Sequence, residues 1–218
     1  MPPLKAFISY SIQDRKLAKQ IKKCLLIYGL NVFLAHDDIE ASSQWSSVIL
    51  ATLKESNVFL PLLTEAFSKS EWTDQETGIA VAHGHLIIPL KVDSDPYGFI
   101  GAIQAQKLSS ENPSPACAKI AKIVGKNPEL QERFFDGLVQ MFADSYSFDE
   151  AGRRAEMLLD FEGYTPQQVR RVLLATVEND QIYQSFQGGP ARQKVHRPSQ
   201  VGCRPRVGQE GTQGHELA

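Results

Sequence analysis

Cysteine is scarce in this chain of 218 residues, with only Cys24, Cys117 and Cys203 present. Three widely separated thiols exclude a disulfide framework and a cysteine-rich zinc site. Long hydrophobic runs are also missing, and no stretch approaches the roughly 20 apolar residues of a membrane-spanning helix. Neither sign of charge is in excess: 25 acidic residues stand against 23 basic ones, a net charge of −2. That balance gives no electrostatic case for wrapping nucleic acid. No GxGxxG follows the first apolar run and no GxxxxGK[ST] occurs, which removes the usual dinucleotide and triphosphate cradles. A GxSxG elbow is absent as well, so a serine hydrolase has no support. His36, His83 and His85 do not join cysteines or carboxylates at zinc-ligand spacing. The N-terminus, Met-Pro-Pro-Leu-Lys, has no signal-peptide pattern. A reducing, cytoplasmic setting is therefore the expectation.

What is present is globular in proportion, with 42% apolar and 22% charged residues. The length suits one domain, or one domain and a small appendage. Over the first hundred residues, short apolar runs alternate with helical periodicity. Lys5-Ala-Phe-Ile-Ser9, Asn31-Val-Phe-Leu-Ala35, Asn57-Val-Phe-Leu-Pro-Leu-Leu63 and Leu86-Ile-Ile-Pro-Leu-Lys-Val92 read as strands covered on both faces. Pro61 predicts an irregularity or an exposed N–H in the third. Leu17, Ile21, Leu25 and Tyr28 recur at helical spacing between a Ser11 cap and a Gly29 stop. Further helices follow the polar loop over residues 36–44 and open at Ser70. Strands alternating with helices indicate right-handed crossovers and a parallel sheet, whose ligand crevice lies at the carboxyl ends of the strands. The loops over residues 9–14, 35–45 and 64–72 are thus where function belongs.

From about Ser109 the strand signals stop and helical patterns take over. Leu130, Phe134, Leu138 and Phe142 share one helical face. Ser147-Phe-Asp-Glu150 reads as a capping box. Thr165-Pro-Gln-Gln168 reads as a second, opening a helix whose apolar face is Val169, Val172, Leu173 and Val177. The boundaries expected are a first domain over residues 1–125, a helical appendage over 126–187 and a disordered tail over 188–218. That last segment holds six glycines, three prolines and few large apolar side chains.

Among residues able to carry chemistry, Trp72-Thr-Asp-Gln-Glu76 stands out. Its i, i+4 spacing places an indole and a carboxylate on one helical face near a helix start. On the residues alone, a packing tryptophan and a solvated glutamate is the ordinary reading of that spacing. The acidic run Asp37-Asp38-Ile39-Glu40 reads as a solvated loop. By the same standard Trp45 is a packing anchor, Phe33 a core residue, and Ser9, Tyr10 and Ser11 a strand end and cap.

Taken together and in order, these pieces resemble a prokaryotic TIR (Toll/interleukin-1 receptor) domain of the NAD-cleaving type. Lys5-Ala-Phe-Ile-Ser-Tyr-Ser11 is similar to the family's first box. Asn31-Val-Phe-Leu-Ala-His-Asp-Asp-Ile-Glu40 followed by Trp45 resembles its second strand and gating BB loop. Ser70-Glu-Trp-Thr-Asp-Gln-Glu76 resembles its S-x-W-x-x-x-E helix start, and Leu86-Ile-Ile-Pro-Leu90 its fourth strand. The loop has no proline-glycine pair, and Ser11 stands where some NAD-cleaving relatives carry a basic residue.

The resemblance implies a flavodoxin-like α/β domain with a central parallel sheet of about five strands, the last near Ala105-Gln-Lys-Leu108. It implies NAD⁺ as substrate rather than cofactor, with cleavage at the nicotinamide–ribose bond and Glu76 as the catalytic residue. Ser9, Tyr10, Ser11, Phe33, Asp38, Glu40, Trp45 and Trp72 would line the substrate site or its gate, with no metal. The expected partners are NAD⁺, further copies through TIR–TIR contacts, and an activating protein at the helical appendage; neither membrane nor nucleic acid is expected. The expected setting is bacterial or archaeal antiviral defence. A non-catalytic signalling scaffold is the second class, and a nucleoside glycosidase similar to the deoxyribosyltransferases the third.

Overall fold

The computed structural model describes residues 3–34 and 45–188. Its centre is a parallel sheet made of β1 (Lys5–Ser9), β2 (Asn31–Leu34), β3 (Val58–Leu63), β4 (Leu86–Ile87), β5 (Leu90–Lys91) and β6 (Gln106–Lys107). The strand order is β2-β1-β3-β5-β6, with β4 also paired to β3. Because β4 and β5 are two pieces of one strand, the sheet is five positions wide, as expected. The split has a local cause. Asn57, Phe59 and Leu63 turn their carbonyls toward this neighbour, accepting from the N–H groups of Leu86, Ile88 and Val92. Pro61 faces the same way, and the pairing of Leu62 with Leu90 sets it opposite Pro89. Pro61 has no N–H to give to that neighbour, so the ladder lapses there; Pro89 is turned toward β6, where its carbonyl accepts from Gln106.

The helices are α1 (Arg15–Leu26), α2 (Trp45–Glu55), α3 (Glu65–Ser68), α4 (Glu71–Ala82), α5 (Ser114–Lys126), α6 (Gln131–Ala143), α7 (Phe148–Leu159), α8 (Pro166–Glu178) and α9 (Asp180–Gly188). Helix α1 begins later than a Ser11 cap predicts. A 3-10 turn over Ile12–Asp14 comes first, and the Ser11 side chain makes no capping bond. The chain leaves α1 through Gly29 at φ +75°, where an added Cβ would meet the Met141 sulfur at 3.0 Å. A left-handed turn that close to α6 calls for glycine.

Alternation along β1 sorts side chains onto two faces. Ala6 and Ile8, with Tyr10 just beyond, join the larger core beneath α1 and α5, alongside Ile21, Leu25, Ile120 and Val124. Phe7 faces the other way, into a smaller core with Ile49 and Leu53 of α2, Phe59 of β3 and Ala80 of α4. The larger core does not stop at α5. It runs on through Phe134, Leu138 and Phe142 of α6 to Ala151 of α7, Ala175 of α8 and Ile182 of α9. The helical C-terminal part therefore shares one apolar interior with the α1/α5 face of the sheet.

Helix α8 opens with the expected capping box, in which Thr165 and Gln168 exchange side-chain and backbone bonds. The box at Ser147 is half formed: its hydroxyl accepts from the Glu150 N–H, but the Glu150 carboxylate accepts from Tyr146. Of the apolar face expected for α8, only Val172 packs against the core. Gln168 donates to the Glu132 carbonyl and to Asp136, both at 3.0 Å, and Arg171 bonds Asp136 and Gln140. These bonds, with the burial of Ala175, turn that side toward α6 and leave Val169, Leu173 and Val177 exposed.

Candidate active site

The same alternation that buries Phe7 places Ser9 on the α4 side, at the carboxyl end of the sheet. Phe33, Phe7 and Phe59 form an aromatic layer below it, with ring centroids 5.5 and 6.0 Å apart. On α4, Ala80 packs on this layer, and Glu76, one turn earlier, reaches past its end. There Ser9 Oγ donates to Glu76 Oε2 at 2.5 Å. Glu76 is only 2% exposed. Its other oxygen, Oε1, is also buried and has no hydrogen-bond partner among the described residues. Trp72 lies a further turn toward the start of α4 and is half-buried.

The start of α4 is tied down by side chains that periodicity does not reveal. Ser70 occupies the N-cap position without a side-chain bond. The Thr73 hydroxyl instead donates to the carbonyls of Phe67 and Ser70, at 2.8 and 2.7 Å, and Thr77 donates back to Thr73 at 2.7 Å. On the outer side, the Tyr97 hydroxyl donates to Asp74 at 2.6 Å, fastening the β5–β6 connection to the helix. Glu76 therefore sits on a helix held from both sides.

A family model described as TIR domain matches residues 6–124, more than half of the chain. The chain belongs to the TIR domain family. The TIR domain of the Toll-related receptor TRR-2 from Hydra magnipapillata is 19% identical, over 46% of this chain and 80% of that one, with a TM-score of 0.41. The TIR domains of the activated Roq1 resistosome recognising the effector XopQ are 15% identical. They cover 73% of this chain and 99% of that chain, with a TM-score of 0.36. No curated protein matches the chain.

Within the TIR domain, Ser9, Phe33, Trp72 and Glu76 fall on one side of the sheet. Tyr10 does not join them: one residue on from Ser9, it points into the opposite core and is fully buried. Ser11 is buried at the start of the 3-10 turn, where its carbonyl accepts from Asp14 at 2.7 Å. Trp45 is the first residue of α2. Asp38 and Glu40 lie outside the described residues. Sequence reasoning missed Thr73, Thr77 and the Asp74–Tyr97 pair, because hydroxyl-to-carbonyl bonds within and between short helices leave no periodic mark.

Burial raises the Glu76 carboxyl from its ordinary value to about 7, while the Ser9 hydroxyl pulls in the other direction. Desolvation disfavours the charged form, and one hydrogen bond only partly offsets it. A buried carboxyl with one oxygen held, one oxygen open and a proton that leaves near neutrality is suited to meeting positive charge. The wall of aromatic rings keeps the local dielectric low, so that such an encounter is strong. Among the described residues no group of three or more His, Cys, Asp or Glu side chains is placed to hold a metal ion. No helix among them is long and apolar enough to cross a membrane.

Proposed function

We propose that this TIR domain cleaves NAD⁺ at the nicotinamide–ribose bond, with Glu76 as the catalytic carboxylate. The observation that carries the reading is the geometry of Glu76, oriented by Ser9 and with its second oxygen unclaimed among the described residues, at the carboxyl end of the sheet. As the bond breaks, its electron pair neutralises the cationic nicotinamide, which needs no general acid to leave. The ribose becomes oxocarbenium-like, as in glycoside hydrolysis, and an ionised Glu76 stabilises that charge. Attack by water, with loss of its proton, gives ADP-ribose; attack from within the molecule gives a cyclic isomer. Phe33 and Trp72 supply apolar walls, Asp38 and Glu40 are assigned to the gating loop, and Trp45, at the start of α2, is assigned to the substrate site. On its resemblance to prokaryotic TIR proteins, we assign this activity to antiviral defence, switched on by self-association or by an activating protein.

The test is nicotinamide release from NAD⁺ by the full chain beside Glu76→Ala and Glu76→Gln, over a range of protein concentrations, with chromatography of the co-product. Release by the wild type and a loss of at least about 100-fold in both variants is expected. Because Glu76 acts ionised, kcat/KM should rise with pH through about 7. Undiminished release by Glu76→Gln would move the chemistry elsewhere. The 2% exposure of Glu76 favours one second reading, a scaffold that never admits substrate. A wild-type chain that neither cleaves nor binds NAD⁺ at any concentration would select it.

A further inference from the structure

Helix α8 presents an apolar stripe to solvent. Val169, Leu173 and Val177 recur every four residues, with Leu173 61% and Val177 75% exposed, and Leu174 lies beside them. The bonds from Gln168 and Arg171 to α6 fix the opposite side inward, so the stripe cannot roll into the core. Two β-branched residues on an exposed helical face lower helix propensity, and Val177, 75% exposed, gains little packing in a single copy. The row flanking the stripe is Arg170, Leu174 and Glu178, again at four-residue spacing, and both charged residues are exposed. Neither makes an ion pair among the described residues.

We propose that α8 pairs antiparallel with α8 of a second copy, forming an isologous dimer through this stripe. A two-fold axis beside Leu173 and Leu174 sets Val169 against the partner's Val177, and Arg170 against the partner's Glu178. Symmetry makes each contact twice. The placing of opposite charges four residues either side of Leu174 is what self-pairing requires, and a foreign partner imposes no such symmetry. One helix pair falls short of the roughly 1,200 Å² of a stable interface. The dimer is therefore weak, with a dissociation constant in the micromolar range or above. Because α8 packs on α6, and α6 on the α1/α5 side, such a dimer joins two TIR domains back to back. Their α4 faces, with Glu76, stay open.

The test is sedimentation velocity of the full chain from about 1 μM to about 1 mM, a range that brackets weak interfaces. The wild type is expected to dimerise across it, and Leu173→Asp to move the midpoint at least about tenfold higher. R170E and E178R alone should each weaken the dimer several-fold, and the double variant should restore it, since reversing both charges recreates the pair. All substituted positions are exposed, and circular dichroism checks that each variant folds. A wild type monomeric at the highest concentration overturns the proposal, including the cases where another protein or the chain's own C-terminus covers the stripe. So does a dimer indifferent to Leu173→Asp, or a double variant weaker than either single one.

Discussion

The two faces of the sheet do unequal work. Beneath α1 and α5, apolar side chains run without interruption from Leu4 through Phe142 to Ile182. On the α4 side the buried apolar cluster is Phe7, Ile49, Leu53, Phe59 and Ala80. It gives way to a serine hydroxyl, two buried threonines and an acid that burial keeps partly protonated near neutrality. The contrast teaches that stability is concentrated on the side away from the candidate chemistry. A fold anchored there can retain a half-satisfied carboxyl on the other side at the expense of some stability.

The sharpest way to break that contrast is to cut the chain after residue 125. The fragment keeps the residues matched to the family but loses Phe134, Phe135, Leu138 and Phe142 from its core. Each such side chain is worth about 2–5 kcal/mol, so thermal melting should lose its cooperative transition. A fragment that melts like the full chain would refute the shared core. Phe134→Ala in the full chain is the next largest effect, a loss of about 3–5 kcal/mol by urea denaturation.

Glu76→Gln should act in the opposite direction. The native carboxyl loses its proton near 7, whereas the unfolded chain loses it near the ordinary 4.5. Between those values the native state holds the extra proton, so wild-type stability falls as pH rises through that window and is flat above it. The variant lacks this slope. It should be up to about 3 kcal/mol more stable than wild type at pH 8 and no more stable at pH 4. Equal urea midpoints at both pH values would show that Glu76 is not strained. Ser9→Ala is smaller. It removes the bond to Oε2 that lowers the Glu76 value, costs about 1 kcal/mol, and should shift the pH–rate rise upward. Smallest is Tyr97→Phe, whose bond to Asp74 is exposed, with an expected loss below about 1 kcal/mol.

Much of this was legible in the amino-acid order. The first four strands declare themselves by apolar runs, and α6 by Phe134, Leu138 and Phe142 at helical spacing; the last strand, Gln106–Lys107, carries no such run and was expected only from the resemblance. Thr165 and Gln168 announce the start of α8 because capping is a local bond. Helix α3 was not legible, since four residues cannot display a period of 3.6. The outward stripe of α8 misled for a different reason: Val169, Leu173 and Val177 look like a core face until Gln168 and Arg171, both polar, are seen to bind α6. At the site, Trp72 and Glu76 were visible as a local pair. The bond from Ser9 to Glu76 spans 67 positions in the chain, and only the sheet brings the two together. Tyr10 shows the converse, a neighbour in sequence assigned to the substrate side that strand alternation sends to the other face.

That alternation makes the candidate site digital rather than graded. Substitutions along β1 change what a position offers, but inserting or deleting one residue before Ser9 exchanges the two faces of everything up to the next anchor. After a deletion a tyrosine would confront Glu76, after an insertion an isoleucine, and in either case a serine would enter the largest core. Evolution and engineering alike can tune this end of the strand only by exchanging letters, never by changing their number.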